Sequence, residues 1–318
     1  MPLDILTFGE ALVEVMRTEV GQALDRPALF TGPYPSGAPF IFAVQAARLG
    51  AKVGAIGAVG DDAFGKCLLD QLHVDGVDTR GVTTLKTHTT GVAFVAYNPD
   101  GSRDFVFHAR HAAAGQLSVS MLKPDLFDGL KCLHLMGSTL SIHAEALAMG
   151  WRAVELAREA GAKISFDPNL RPQLSPVERA RVAFKPIIDA ADVLMPTAEE
   201  AQLLTGKTST EEAIQSLLDD YAERIIILTQ GKAGCTVYRM GVAPTHVPSF
   251  SVNEVDPTGA GDCFDAGFLT RWLAGDPPET AARFANACGA LAVTAQGPMA
   301  GAQTSDLVLA FINQQRSS

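Results

Sequence analysis

The sequence predicts a doubly wound α/β fold, in which a central, mostly parallel sheet carries helices on both faces. Short apolar runs bounded by Gly, Pro or Asp recur along the chain, and segments with a helical spacing of apolar residues lie between them. Runs this short suit strands that are buried on both faces of a parallel sheet. Their alternation with helices over most of the chain is typical of α/β proteins.

Six apolar runs are predicted to form strands of this sheet. They are residues 3–9, 53–59, 132–136, 164–166, 193–195 and 225–228. Helices are predicted over 144–160 and 210–220, because apolar residues recur there every three or four positions. Gly161 follows the first of these helices and is a favourable residue for its C-terminal end.

Two segments, about 10–34 and 84–107, interrupt the alternation. The second contains the apolar run 92–97, the turn sequence Asn98-Pro99-Asp100-Gly101 and the run 104–107, which together predict a β-hairpin. We expect the two segments to form a small β lid beside the main sheet. No Pro/Ser-rich linker divides the chain, so a single domain over 1–318 is expected.

The composition excludes several classes of protein. The chain has 25 Lys and Arg against 35 Asp and Glu, a net charge of −10, and no basic run, which argues against binding to nucleic acid. Its longest uncharged stretch, 27–47, is interrupted by prolines and could not span a bilayer. The five cysteines are odd in number and widely spaced, which argues against a disulfide framework or a zinc site. With no signal sequence visible, a cytoplasmic protein is expected.

The segment 256–262, Asp-Pro-Thr-Gly-Ala-Gly-Asp, is the most informative for chemistry. It precedes an amphipathic run, so its glycines are expected to form a loop that opens a helix. Unpaired N–H groups and the helix dipole make such an N-terminus a site for anions. Asp262 would lie beside the anion, where it could take a proton from an attacking hydroxyl group. The alternative is that Asp262 only caps a structural helix.

This segment resembles the second signature of the PfkB, or ribokinase-like, carbohydrate kinase family, whose usual form is Asp-Thr-Thr-Gly-Ala-Gly-Asp-x-Phe. The segment 36–65 is similar to the first signature. The resemblance extends from Gly9 to about Gly297 and implies a three-layer ribokinase-like fold with a β lid. It also implies transfer of the γ-phosphoryl group of ATP to a sugar hydroxyl, with Mg²⁺ and, in some members, K⁺.

The resemblance assigns roles to residues on the phosphate side. Asp262 becomes the catalytic base, and Gly259, Ala260 and Gly261 form the anion hole. The expected ATP-binding residues are Thr229, Gly231, Gly234 and Asn286. Glu200 is expected to hold Mg²⁺ through water, although Thr197 stands where the family has asparagine. A monovalent cation is expected near Asp256.

On the sugar side, the resemblance assigns substrate contacts to Glu14, Gly37, Arg110 and Arg171. Arg171 lies in the segment 167–172, Asp-Pro-Asn-Leu-Arg-Pro, which is close to the form seen in bacterial fructokinases and 2-keto-3-deoxygluconate kinases. Either arginine could instead be a solvated surface residue. Ile41 stands where the family has an asparagine that faces the sugar, and this replacement is expected to shift substrate preference.

These observations predict an ATP-dependent kinase acting on a primary hydroxyl of a ketohexose of the fructose or tagatose type. A 2-keto-3-deoxygluconate kinase is the first alternative, and a nucleoside kinase or a non-catalytic sugar-binding regulator is the second. Apolar residues on both faces of the lid hairpin, among them Phe94, Phe105 and Phe107, predict a homodimer formed through the lids.

Overall fold

The computed structural model describes residues 2–171, 176–219 and 221–315, whose strands form a nine-stranded and a four-stranded sheet. The strands are β1 (Ile5–Phe8), β2 (Leu12–Arg17), β3 (Phe30–Ser36), β4 (Val53–Gly60), β5 (Asp78–Leu85), β6 (Gly91–Tyr97), β7 (Arg103–His108), β8 (Cys132–Met136), β9 (Lys163–Asp167), β10 (Val193–Leu194), β11 (Ile225–Thr229), β12 (Cys235–Arg239) and β13 (Val242–Val247). The helices are α1 (Ala38–Arg48), α2 (Ala63–Val74), α3 (Gly137–Leu140), α4 (Ala144–Glu159), α5 (Val177–Ala190), α6 (Ala198–Thr205), α7 (Thr210–Asp219), α8 (Ala260–Leu273), α9 (Pro278–Ala292) and α10 (Ser305–Gln314).

The nine-stranded sheet has the order β13-β12-β11-β10-β9-β8-β1-β4-β5. It is parallel from β5 to β11, and β12 and β13 add an antiparallel edge. Each of the six predicted strands lies in this sheet, and the fold class predicted from the sequence is confirmed. The helix predicted over 210–220 is α7, and Asp220 lies outside the described residues.

Helices cover both faces of this sheet, because its side chains point alternately to the two sides. Ile5 packs into a core formed with α1, α2, α8 and α9, whereas the next residue, Leu6, packs into a second core formed with α4 to α7. Strands buried on both sides are therefore apolar at consecutive positions, which is why short unbroken apolar runs marked them in the sequence.

The smaller sheet, which we call the lid, has the order β3-β2-β6-β7. Its hairpin β6–β7 turns at Asn98–Gly101, where Asn98 N–H donates to the carbonyl of Ser102 and Gly101 has a φ of +83°. Asp62 ties the start of α2 to the segment that leads into β6 of the lid. Its carboxylate caps α2 and also accepts from the backbone and hydroxyl groups of Thr90. Thr84 and Leu85 end β5 in the main sheet, so the second lid segment begins at Gly91.

Candidate active site

Polar residues gather where the parallel strands of the main sheet end. Glu10 follows β1, Ser138 follows β8, Asp167 ends β9 and Thr229 ends β11. In open α/β sheets, ligands bind in the crevice beside these carboxyl ends. The N-terminus of α8 carries the segment 256–262 to the same edge, where Asp262 and Asp167 are close enough for one charge to affect the other.

The glycine turn before α8 has the geometry of an anion cradle. Gly259 is the N-cap residue with a φ of +84°, and a Cβ atom there would lie 2.6 Å from the carbonyl oxygen of Pro298. Ala260 and Gly261 begin the helix, and a Cβ atom at Gly261 would meet no atom within 4 Å. The first N–H groups of the helix have no partner within it and lie beside open space, which suits them to bind phosphate oxygens.

Asp262 lies in the first turn of α8 and is 9% exposed. Burial raises the pKa of its carboxyl group to about 7. Arg171 and Arg103 lower this pKa, whereas Glu10 and Glu14 raise it. A carboxyl group with a pKa near neutrality is suited to accept a proton and release it in each cycle.

Glu14, Gly37 and Asp262, which the sequence predicts beside the sugar, lie with Glu10 in one part of the site, which we call the sugar half. The Oε1 atom of Glu14 accepts a hydrogen bond from the Ser36 hydroxyl at 2.7 Å, and burial raises the pKa of Glu14 to about 7. Gly37 has a φ of +104°, and a Cβ atom there would lie 2.1 Å from the carbonyl oxygen of Glu10. Glycine at position 37 therefore permits close packing of the loop on the end of β1.

The two predicted substrate arginines are placed differently. Arg171 is exposed at the rim, but its charge lowers the pKa of both Asp262 and Glu10. Arg110 instead lines a cavity of about 710 Å³ at the base of the lid, together with Asp62, His108 and His111. Asp262 and Glu14 do not line that cavity. Pro172, the last residue of the sequence segment that contains Arg171, lies outside the described residues.

Ile41 lies on α1, at its contact with the start of α8. It is 3% exposed, and its Cγ2 atom would be 3.0 Å from a Cβ atom at Gly259. The side chain thus presents an apolar surface beside the anion cradle, where an asparagine would present an amide group.

The part of the site where the sequence predicts ATP and Mg²⁺ we call the nucleotide half, and it contains Thr229, Gly231, Gly234 and Glu200. Gly231 and Gly234 have φ values of +56° and +104°, and a Cβ atom at Gly234 would lie 2.2 Å from the carbonyl oxygen of Val247. Thr229 pairs through a single bridge with Thr197, which joins the end of β11 to the start of α6. Asn286 is 4% exposed, and its amide nitrogen donates to the carbonyl oxygens of Val247 and Pro248, so it holds the border of this half.

Glu200 is fixed by a capping box at the start of α6. Its Oε2 atom accepts from the backbone and hydroxyl groups of Thr197, and its Oε1 atom accepts from the backbone of Leu170. Because a carboxylate has about four acceptor positions, one remains for a metal-bound water. Within the described ranges, no group of three or more His, Cys, Asp or Glu could hold a metal directly. The residues present therefore fit Mg²⁺ held through water.

Asp256 connects the glycine turn with the lid and with the segment near Gly297. Its carboxylate accepts from the Tyr97 hydroxyl at 2.7 Å, from Thr258 N–H at 3.0 Å and from Gly297 N–H at 2.9 Å. These contacts fix the carboxylate at the region where the sequence predicts a monovalent cation.

Two acidic residues of the site, Glu10 and Asp265, were not predicted from the sequence. Glu10 is buried and accepts from the hydroxyl groups of Ser138 and Thr139 at 3.0 and 2.5 Å, and burial raises its pKa. Asp265 is one helical turn after Asp262 and contacts the carboxyl group of Asp167, and the pKa of both is raised by burial. Asp262 and Asp265 are spaced i, i+3, which places both carboxyl groups on one face of the helix. This spacing could have indicated Asp265 from the sequence.

A buried carboxyl group at the open N-terminus of a helix, at the carboxyl edge of a parallel sheet and under a β lid, defines a phosphotransferase acting on a hydroxyl group. Comparison with known proteins agrees with this class. Residues 3–305 match the family model described as pfkB family carbohydrate kinase. The chain belongs to this family.

Three relatives illustrate the similarity. Fructokinase-1 of Oryza sativa subsp. japonica is 36% identical over 314 residues, which cover 96% of each chain. A putative ribokinase II from E. coli, solved in complex with ATP and Mg²⁺, is 38% identical with a TM-score of 0.93, over 98% of this chain and 99% of that one. A double mutant of the fructokinase from Vibrio cholerae O395, solved with fructose, ADP and potassium ion, is 28% identical with a TM-score of 0.84, over 98% of each chain.

These findings confirm the predicted family, the ribokinase-like fold and the enzyme class of a phosphotransferase with an alcohol group as acceptor. Among the described helices, none combines the length and apolar character needed to cross a bilayer.

Proposed function

We propose that this chain is an ATP-dependent fructose kinase in which Asp262 is the general base. One observation carries the proposal: a buried carboxyl group with a pKa of about 7 lies in the first turn of a helix whose glycine turn faces open space. The fructokinases of rice and Vibrio cholerae, similar over nearly the whole chain, support fructose as the substrate.

In the proposed reaction, the oxygen of a primary sugar hydroxyl attacks the γ-phosphorus of ATP. A new oxygen–phosphorus bond forms, and the bond from the γ-phosphorus to the bridging oxygen of ADP breaks. The hydroxyl proton passes to the carboxylate of Asp262. The turn Gly259–Gly261 donates backbone hydrogen bonds to the phosphoryl oxygens, where donors already in place contribute most to the rate.

On the nucleotide side, Thr229, Gly231 and Gly234 would shape the ATP-binding surface, with Asn286 holding its border. Mg²⁺, held through water by Glu200, would supply positive charge to the β- and γ-phosphates. We further propose a monovalent cation near Asp256. The E. coli and Vibrio structures, which contain Mg²⁺ and potassium ion respectively, support these assignments.

A sugar acid such as 2-keto-3-deoxygluconate is the second candidate substrate. It is favoured by Arg171, whose charge is the largest favourable influence on the Asp262 carboxylate. A guanidinium group at the rim could bind a substrate carboxylate with two parallel hydrogen bonds. Arg110, the other predicted substrate arginine, lines the cavity at the lid base.

The function is tested by ADP release from Mg-ATP with fructose, tagatose, 2-keto-3-deoxygluconate and adenosine as separate acceptors. Fructose is expected to give the highest kcat/KM. Preference for 2-keto-3-deoxygluconate, lost in an Arg171→Gln variant, would select the second candidate. No turnover with any acceptor, together with sugar binding that survives Asp262→Asn, would replace both with the non-catalytic regulator.

We also propose that two copies associate through their lids. The edge strand β7 leaves Phe105, Val106 and Phe107 exposed at 37%, 45% and 48%. An exposed apolar edge strand promotes pairing with another chain. Sedimentation equilibrium should give a dimer that Phe107→Ser weakens, whereas a monomer at all concentrations would contradict the proposal.

A single domain over 1–318 in the cytoplasm completes the proposal. The five cysteines are free and four of them are buried, as expected for a protein kept in a reducing compartment.

A further inference from the structure

The tip of the lid touches the glycine turn through two side chains. Tyr97 donates its hydroxyl to Asp256, and the Nη1 atom of Arg103 donates to the Thr258 hydroxyl at 2.8 Å. Tyr97 and Arg103 are partners in the register of β6 and β7, so both side chains leave the same face of the lid. The lid therefore reaches the loop that forms the anion cradle with one phenol and one guanidinium group.

Arg103 lies at the transfer site and also at the lid–loop contact. Thr258, its hydrogen-bond partner, directly precedes the N-cap residue Gly259. Its charge also reaches the sugar half, because it lowers the pKa of both Asp262 and Glu14. A cation that acts on the base and touches the anion cradle is close to the path of the transferred phosphoryl group.

The guanidinium group of Arg103 has further N–H donors with which it could bind an anion. It has five N–H donors, and within the described residues only Nη1 makes a hydrogen bond, to a neutral hydroxyl acceptor. The ring of Phe105 lies 5.4 Å from the guanidinium carbon and covers one side of the group. A planar cation that is half-buried and only partly hydrogen-bonded is suited to bind phosphate oxygens in a bidentate manner.

We propose that Arg103 is a catalytic residue delivered by the lid, whose guanidinium group binds oxygens of the phosphoryl group during its transfer to the sugar. The inference rests on the proposed kinase function and extends it to a residue outside the glycine turn. Closing the lid would then complete the charge stabilisation of the transition state as well as exclude water.

Matched variants separate this role from a simple latch. Arg103→Ala removes the guanidinium group, Arg103→Lys keeps a charge without the planar fork, and Tyr97→Phe removes the other lid-to-loop hydrogen bond. Arg152→Ala, an exposed arginine on α4, controls for loss of surface charge. We expect Arg103→Ala to lower kcat by about 10²- to 10³-fold, the range for one transition-state donor, with the KM for sugar changed less than about threefold.

Arg103→Lys is expected to recover only part of this loss, and Tyr97→Phe to lower kcat less than about fivefold. Added guanidinium chloride at tens of millimolar should raise kcat of Arg103→Ala about tenfold or more and leave Tyr97→Phe unchanged. Equal losses in Arg103→Ala and Tyr97→Phe, expressed in KM and not rescued by guanidinium, would overturn the proposal and leave Arg103 as a latch.

A binding measurement tests Arg103 without turnover. The affinity of each variant for Mg-ADP is compared with and without aluminium fluoride, which mimics the phosphoryl group in transfer. The unmodified protein should bind ADP more tightly with fluoride, and Arg103→Ala should lose most of that gain while keeping its affinity for ADP alone. An unchanged gain in Arg103→Ala, or no gain in the unmodified protein, would contradict the proposal even if no sugar were a substrate.

Discussion

In the nucleotide half of the site, backbone groups fix the important residues, whereas the sugar half contains buried carboxyl groups held by few partners. Gly234 is enclosed by the carbonyl of Val247, and both oxygens of Glu200 accept hydrogen bonds. Glu14 and Asp262 instead lie buried with raised pKa values, and Oε2 of Glu14 has no hydrogen-bond partner within the described residues. Packing and hydrogen bonds therefore hold the nucleotide half in place, whereas the state of the sugar half depends on the protonation of its buried carboxyl groups.

The largest effect should come from Asp262→Asn, which removes the proposed base and keeps the size of the side chain. We expect kcat to fall by about 10³-fold, within the range for general base catalysis, while the affinity for ATP changes less than threefold. Steady-state kinetics and ADP titration measure the two quantities. Asp70→Asn, an exposed helical aspartate paired with Lys66, is the control. Comparable losses in both variants would remove Asp262 from its role.

Gly234→Ala should affect the nucleotide half through the backbone. Its Cβ atom would meet the carbonyl of Val247 at 2.2 Å, so we expect unfolding free energy to fall by about 3 kcal/mol and the KM for ATP to rise. Gly241 has a φ of +70°, and a Cβ atom there would meet no atom within 4 Å. Gly241→Ala should therefore lower the unfolding free energy by only about 1 kcal/mol. Urea denaturation measures both. Equal losses of unfolding free energy in the two variants would mean that the backbone near position 234 moves to accept the added Cβ atom.

Glu14→Gln tests whether protonation governs the sugar half. Because burial raises the pKa of Glu14 from 4.5 to about 7, its contribution to stability is complete below pH 4.5 and is lost as the pH rises to about 7. Gln cannot ionise and can still accept from Ser36, so at pH 8 the variant should be more stable by about 3 kcal/mol. Near pH 4.5 the difference should vanish in urea denaturation. Glu178→Gln, at an exposed glutamate, is the control, and an equal gain in stability at pH 8 in that variant would contradict the prediction.

The smallest effect is the pH dependence of catalysis. Since Asp262 must be ionised to accept the proton, kcat/KM for the sugar at saturating ATP should fall about tenfold per pH unit below about 7. Glu14 has a pKa of about 7 as well, so the profile is repeated with Glu14→Gln. If kcat/KM still decreases below pH 7 in Glu14→Gln, the decrease is assigned to Asp262. A flat profile between pH 5.5 and 8 in both proteins would disprove the assignment.

The sequence predicted the features that depend on local pattern. The buried parallel strands, the lid hairpin and the glycine turn before α8 were found because each has a characteristic spacing of apolar or glycine residues. Glu10 and Arg103 were missed because their importance arises from packing: Glu10 meets Ser138 and Thr139 of α3, and Arg103 meets Thr258 from 155 positions away. Arg110 lines the cavity at the lid base, and its contact with the substrate stays a prediction.

The contacts of Asp256 and Gly259 also bear on the synthesis of this chain. Gly297 and Pro298 meet these two residues, so the glycine turn is enclosed by residues that are translated after it. The other wall of the site begins at Glu10, which follows β1, the strand that pairs with both β4 and β8. A nascent chain on the ribosome would hold most of the sheet before it could transfer phosphate, because folding proceeds from the N-terminal side. Activity would therefore appear only after Gly297 and Pro298 have been translated and have packed against the turn.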